Sequence, residues 1–312
     1  MTALFRVIEP GLLTTIQDLG RPAAIANGVP PGGAMDRFAH TAANLLVGND
    51  RGDATLECTI SGPQLVTERS CLVAVTGGDL GLRVNGREAP TWTGLFLGPG
   101  DRLGFAGRRL GARAYVAVAG GVEGDRWLGS RSTYLLVAKG GLQGRPLKAG
   151  DMLHSASDRT TPVVAGRHMT PAMRPDYDER ALAVIAGPHI RRLDAESRKA
   201  LFAATFKLSN QADRMGYRLE GPALSQKGDE LLSFGLAAGA VQVVNSGQAI
   251  LLMADHQTAG GYAVPATVVS AALPLAAQLL PGDEFQFREV TETKARQMRA
   301  ELNSALSSLA SP

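Results

Sequence analysis

The chain has 312 residues, of which 45% are hydrophobic and 20% charged, and a formal net charge of only +3. This is enough chain for two ordinary domains, each with its own core. Its arginines are scattered, with no basic block and no interleaved aromatic residues, so nucleic acid is not an expected partner.

The 37 glycines and 17 prolines punctuate almost every segment, which favours many short strands over long helices. The N-terminal MTALFRVIEPG lacks the apolar core of a signal peptide. The most apolar late stretch, VVSAALPLAAQLL, is interrupted by Pro274 and Gln278. A cytoplasmic protein without a membrane span is the expectation.

Along the chain, the first polar cluster is TTIQDLGR (14–21), in which Gln17 and Arg21 can bind a polar ligand. NGVPPGGAMDR (27–37) follows. Its backbone N–H groups suit either an oxygen-binding loop or a plain turn that caps a helix. Residues 36–48 have an Asp cap, an apolar face at Phe38, Ala42, Leu45 and Leu46, and a terminal glycine, which predicts a helix. Cys58 and Cys71 sit in apolar, strand-like surroundings and read as free core thiols. In LGSRST (128–133), Arg131 stands between hydroxyls, suited to an oxyanion or to loop carbonyls.

Polar, proline-bearing residues at 155–180 separate two apolar halves. The expected organisation is a β domain over 1–160, a linker over 161–180, a second β domain over 181–290 and a helix over 291–312. The halves echo each other: SGPQL (61–65) recurs as EGPAL (220–224), and PGDRLGF (99–105) as PGDEFQF (281–287). Duplication of one β-fold is the reading.

In the second half, 194–204 predicts a short helix, and SNQADRMGYR (209–218) gathers Asn210, Gln211, Asp213, Arg214 and Arg218. VQVV-NSGQ-AILLMA (241–254) reads as a hairpin. The loop after it, ADHQTAGG (254–261), places a carboxylate, an imidazole, an amide and a hydroxyl beside glycines, either as a site or as a polar turn. Ala295, Met298, Leu302, Ala305 or Leu306, and Leu309 recur at helical spacing, so the tail predicts an amphipathic helix.

Several signatures are missing from the sequence. It contains no GxxxxGK[ST] phosphate loop, no GxGxxG after a strand and no GxSxG elbow. The five histidines do not fall at zinc-ligand spacing, so no metal is expected. None of the six lysines has the methionine neighbours of a biotinyl lysine, so a swinging cofactor would belong to another chain.

Together, TTIQDLGR, GVPPGGAMDRFAHTAANLLVGN, LGSRST, SNQADRMGYRLEGP and LLMADHQTAGGY resemble the carboxyltransferase-like family. That family includes the C subunit of 5-oxoprolinase (PxpC), the kinase-inhibitor antagonist KipA and part of urea carboxylase. The resemblance implies two cyclophilin-like β-barrel domains. It also implies two partners, a homologous B subunit (PxpB/KipI-like) and an A subunit of LamB type (PxpA).

Within that family the expected role is the C subunit of an ATP-dependent 5-oxoprolinase, inactive alone, with ATP bound on a partner. The alternatives are the carboxyltransferase half of a biotin-dependent urea-carboxylase-like enzyme and a KipA-type regulator. The expected roles are Asp255 or His256 as proton acceptor, Gln257 and Thr258 as orienting groups and Gly260 for close backbone approach. Arg214 and Arg131 are expected on carboxylate or phosphate oxygens, Asn210 on the ring amide, and Gln17 and Arg21 as further contacts.

Overall fold

The computed structural model describes residues 3–157 and 165–310. The chain is mainly β and divides into two compact units. One comprises the described residues of 1–21, 32–177 and 302–312, and the other comprises 22–31 and 178–301. Residues 158–164, which include the start of the expected linker at 161–180, lie outside the described residues.

The first unit is built from two sheets. One has six strands in the order Met152–His154, Ala3–Glu9, Gln64–Thr67, Arg102–Phe105, Leu82–Val84 and Arg87–Glu88. The other has five, Leu13–Gln17, Thr55–Thr59, Leu110–Val118, Cys71–Asp79 and Gly94–Leu97. Leu110–Val118 is central and its sequence, LGARAYVAV, is buried on both faces, as the near-continuous apolar run requires. Leu4, Phe5, Ile16, Leu56, Cys58, Val73, Val75 and Val116 belong to one core between these strands.

Helix Arg37–Leu46 packs nine of its ten residues out of water. Asp36 caps it by accepting from the Ala39 N–H at 2.9 Å, and Gly48 ends it at φ +77°. Residues 165–177, expected within a linker, are instead packed onto this unit. The Met169 N–H donates to the Trp92 carbonyl at 3.0 Å, and the Tyr177 hydroxyl donates to Asp36 at 2.6 Å. Arg174 lies over the Trp92 ring. Apolar and aromatic side chains in a proline-bearing stretch thus override its loop-like composition.

The second unit is a closed barrel. Its order is Ala181–Ala186, Ala263–Val268, Ala240–Val243, Ala249–Leu252, Gly216–Glu220, Thr205–Ala212 and Glu284–Glu289. The last strand returns to the first in parallel register, Leu182 opposite Phe287. Strict alternation decides which side chains fill it. In GYRLE, Tyr217 and Leu219 are buried and Arg218 is exposed. In EFQFRE, Phe285 and Phe287 are buried. Phe287 meets Phe206 at a tilt and Phe285 edge-on, each with 5.3 Å between ring centroids.

Helix Ala195–Ala203 starts at an Asp194 cap, and helix Glu292–Ala310 buries Leu306 and Leu309 on the predicted stripe. Leu273–Ala277 is a further short helix inside the late apolar stretch. No helix among the described residues is long and apolar enough to cross a membrane.

Candidate functional site

The outer face of the barrel carries a cavity of about 640 Å³. Register explains its lining. Tyr217, Leu251 and Val241 form one transverse row across three strands and are buried, facing the barrel core. The next row, Arg218, Ile250 and Gln242, lies on the opposite face and lines the cavity. Four carboxamides converge there: Asn210, Gln211, Gln242 and Gln257. Tyr262 adds a phenol and Arg218 a cation, while Ile250, Leu252, Val244 and Met215 supply apolar surface. The site therefore lies on the outer wall of the barrel.

The hairpin and the loop after it build this wall. Val244 and Gly247 close a turn, with Gly247 donating to the Val244 carbonyl at 2.8 Å and adopting φ +83°. Beyond Leu252, Met253 donates to the Met215 carbonyl at 3.0 Å and Asp255 to the Arg214 carbonyl at 2.7 Å, so the ladder continues into the polar loop. That loop then forms a two-residue strand, Ala259–Gly260, paired with Phe234–Gly235.

Asn210 and Gln257, expected as ligand contacts, are thus brought to one cavity. The expected proton acceptors are not among its lining residues. Asp255 is 4% exposed, and its carboxylate accepts two hydrogen bonds from Arg214, at 2.8 and 3.2 Å. The pair locks the Arg214 loop to the Asp255 loop, so Arg214 is committed to an internal carboxylate rather than to a ligand oxyanion.

His256 is equally buried, and its Nδ1 lies 2.7 Å from the Gln257 carbonyl. A carbonyl only accepts, so Nδ1 carries the proton. Burial pushes this imidazole below its usual range, opposed by that hydrogen bond and by Asp255, and it is neutral at physiological pH. Thr258 uses its carbonyl to bind the Leu236 N–H at 2.9 Å.

The two glycines have separate structural reasons. A Cβ on Gly261 would lie 2.6 Å from the Leu231 carbonyl oxygen, and one on Gly260 would crowd the amides of Gln257 and Gln242. Gly261 thus admits a neighbouring chain segment, not a ligand.

In the first unit, the expected contacts are absorbed by the fold. Asp18 accepts from the Ser130 hydroxyl at 2.6 Å, the Ser132 hydroxyl at 2.5 Å, the Arg131 N–H at 2.6 Å and the Gly20 N–H at 2.7 Å. LGSRST is wrapped around that carboxylate. The Arg131 side chain pairs with Glu123 at 3.2 Å. Arg21, 2% exposed, donates to the Ser132 carbonyl and lies over the Trp127 ring. Gln17, fully buried, donates to Thr15 and to the Thr133 carbonyl.

The N–H groups of Ala34, Met35 and Asp36 bind the Asp18 carbonyl, Glu57 and the Tyr115 hydroxyl. Of the two readings of NGVPPGGAMDR, these contacts match the helix-capping turn. Cys58 and Cys71 are free and buried, and burial pushes both thiols up to about 12. Among the described residues no cluster of three or more His, Cys, Asp or Glu side chains converges on a possible metal position.

Sequence reasoning missed Gln242, Arg218 and Tyr262 as cavity residues. Arg218 was visible in its cluster. Gln242 carried one signal, a lone amide inside an otherwise apolar strand pattern, which alternation alone would turn to the face opposite Val241 and Val243.

The barrel of this mainly β protein thus carries a small-molecule-sized cavity lined by four carboxamides together with Asp213, Arg218 and Tyr262. The chain belongs to the carboxyltransferase domain family: the model for the carboxyltransferase domain, subdomain A and B, matches residues 27–289. It is 36% identical to the 5-oxoprolinase C subunit of Escherichia coli, over 95% of this chain and 94% of that protein. It is 30% identical to urea amidolyase of Lachancea kluyveri over 98% of this chain, but spans only 18% of that larger enzyme. The crystal structure of the K. lactis urea amidolyase superposes with a TM-score of 0.91 at 28% identity, covering 98% of this chain and 20% of that one.

Proposed function

We propose that this chain is the C subunit of an ATP-dependent 5-oxoprolinase and holds the lactam substrate while its A-type and B-type partners supply the remainder of the catalytic apparatus. The observation that supports this reading is the carboxamide-walled cavity. A lactam presents one N–H donor and one carbonyl acceptor in a plane, and carboxamides complement both without a charge to desolvate. Similarity to a 5-oxoprolinase subunit over nearly the whole chain points to the lactam in particular.

In this reading, Asn210 and Gln257 orient the ring amide and Arg218 meets the carboxylate of 5-oxo-L-proline. An unstrained amide is a poor electrophile. Transfer of the γ-phosphoryl group of ATP to the lactam oxygen activates its carbon. Water adds there, the ring C–N bond breaks with the nitrogen taking a proton, and a second water releases phosphate from the acyl phosphate. The products are L-glutamate, ADP and phosphate. With no phosphate loop in this sequence, ATP is assigned to a partner. Asp255 and Arg214 hold the loop that carries Gln257.

The test is to combine the full chain with its A-type and B-type partners and follow glutamate release from 5-oxo-L-proline with and without ATP. ATP-dependent release that requires all three chains is expected. A fully assembled complex that releases no glutamate would refute the reading.

A second reading, the carboxyltransferase half of a biotin-dependent enzyme, is favoured by the similarity to the urea amidolyases. A ureido group also suits carboxamides. Carboxyl transfer that avidin abolishes would establish that reading instead.

A further inference from the structure

Gln242 stands apart among the cavity residues. It is 2% exposed, on strand Ala240–Val243, and its Oε1 accepts from Gln257 Nε2 at 3.3 Å. Its own Nε2 is buried and has no hydrogen-bond partner among the described residues. Leaving a buried donor unmatched is costly, so such groups are rare in folded proteins unless a ligand or water completes them. Leu236, Gln242 and Gln257 all converge on Gly260. A Cβ there would lie 2.8 Å from Gln257 Nε2, 3.1 Å from Leu236 Cδ1 and 3.3 Å from Gln242 Nε2. The absence of a side chain at position 260 keeps the two amides where they are. Beside them Leu236, Ala240, Leu252 and Val264 form a small apolar cluster, with Ile250 packed against it.

We propose that Gln242 is the specificity-determining residue of this cavity: its Nε2 donates to the carbonyl oxygen of a small cyclic amide or ureido ligand, while Gln257 fixes its orientation. Ile250 and Leu252, which line the cavity beside it, accept the ring methylenes. For the lactam as ligand, the inference rests on the 5-oxoprolinase reading. The role of Gln242 itself rests on its burial, its unmatched donor and its place in the cavity wall. Discrimination follows from the same chemistry. A ring without the carbonyl leaves the buried donor unmatched, and sites built to hydrogen-bond a polar group reject analogues that lack it.

The experiment titrates the full-length chain with 5-oxo-L-proline, 2-imidazolidone and L-proline by calorimetry or ligand-observed NMR. The wild type is expected to bind at least one of the two carbonyl-bearing rings no less than about tenfold more tightly than L-proline. Gln242→Leu is expected to erase that preference, weakening the carbonyl ligand by about tenfold or more while leaving L-proline unchanged. A merely structural role would weaken all three together. Gly260→Ala, which meets only the side-chain ends of Gln257, Leu236 and Gln242, is expected to reduce the same preference, and it decides the matter if Gln242→Leu does not fold.

Wild-type preference retained in Gln242→Leu, or in a folded Gly260→Ala when Gln242→Leu does not fold, overturns the inference, as does a wild type that binds none of the three. Binding of 2-imidazolidone but not 5-oxo-L-proline, lost in Gln242→Leu, sustains the inference and removes the lactam reading. Glutamate release by a Gln242→Leu complex at wild-type kcat/KM removes the inference and leaves the lactam reading standing.

Discussion

The Arg214–Asp255 pair shows at the residue scale how burial changes what a side chain is for. Read in sequence, each is a reactive group beside glycines. In the fold, their side chains are only 10% and 6% exposed and hydrogen-bond each other twice. Removing one partner of a buried ion pair leaves the other badly solvated, which costs about 3–5 kcal/mol. Asp255→Ala is therefore expected to lower unfolding stability in urea by about that amount. A double-mutant cycle with Arg214→Ala should show strong non-additivity, and additive losses would dissolve the pairing.

His40 gives a second residue-scale prediction. It is fully buried against Thr55, at 2.9 Å from the hydroxyl, and burial pushes it down to about 4, against the opposing charges of Asp18 and Glu57. The unfolded chain protonates this imidazole near 6.5, and the folded chain does not until about 4. Between those values the unfolded state binds the extra proton, so stability falls as pH drops from 6.5 to 4 and is unaffected above 6.5. The loss is on the order of 3 kcal/mol. Thermal midpoints of His40→Gln should fall less steeply than wild type across that window, and parallel profiles would remove His40 as the cause.

At the element scale, LGSRST is a loop with a charge at its centre. Four donors point at Asp18, two of them backbone N–H groups. Asp18→Ala leaves those donors without their acceptor and is expected to cost about 3 kcal/mol or more, read from denaturant midpoints at unchanged m-value. Arg131→Ala, which loses only the partly exposed Glu123 pair, should cost about 1 kcal/mol or less.

Adjacent glycines offer a sharper contrast. Gly261→Ala drives a Cβ into the Leu231 carbonyl, where backbone must move, whereas Gly260→Ala meets side-chain ends. The expected stability loss is about 1–3 kcal/mol for the first and less than about 1 kcal/mol for the second, with circular-dichroism melts as the measure.

Over the whole molecule, the two halves repeat more than a sequence echo. In PGDRLGF and PGDEFQF, Gly100 and Gly282 both take positive φ. Asp101 and Asp283 accept from the N–H three residues earlier, at 2.7 and 2.9 Å. Each turn also exchanges two backbone hydrogen bonds with one partner residue, Thr67 in the first unit and Leu208 in the second. The same turn launches a strand in each unit, yet the second unit closes into a seven-stranded barrel while the first forms two sheets. Phe206, Phe285 and Phe287 pack together on two neighbouring barrel strands, Thr205–Ala212 and Glu284–Glu289. Phe287→Ala, at a fully buried position, is expected to cost about 3–5 kcal/mol. A loss below about 1 kcal/mol would show the cluster to be dispensable.

The sequence by itself determined what depends on neighbours a few residues away. The mainly β character, the Asp36 and Asp194 helix caps, the hairpin at 241–254, the apolar stripe of the last helix and the family motifs are all of that kind. They follow from period-two or three-to-four-residue spacing, from φ preferences and from capping side chains. Only the tertiary structure decided which polar residues face a ligand, because that depends on contacts between residues far apart in sequence. Gln17, Arg21 and Arg131 look like Asn210 and Gln257 along the chain, but Thr133, Trp127 and Glu123 take up the first three. Gln242 looks like an interruption in an apolar strand until strand register sets it beside Ile250 and Arg218 on the outer wall of the barrel.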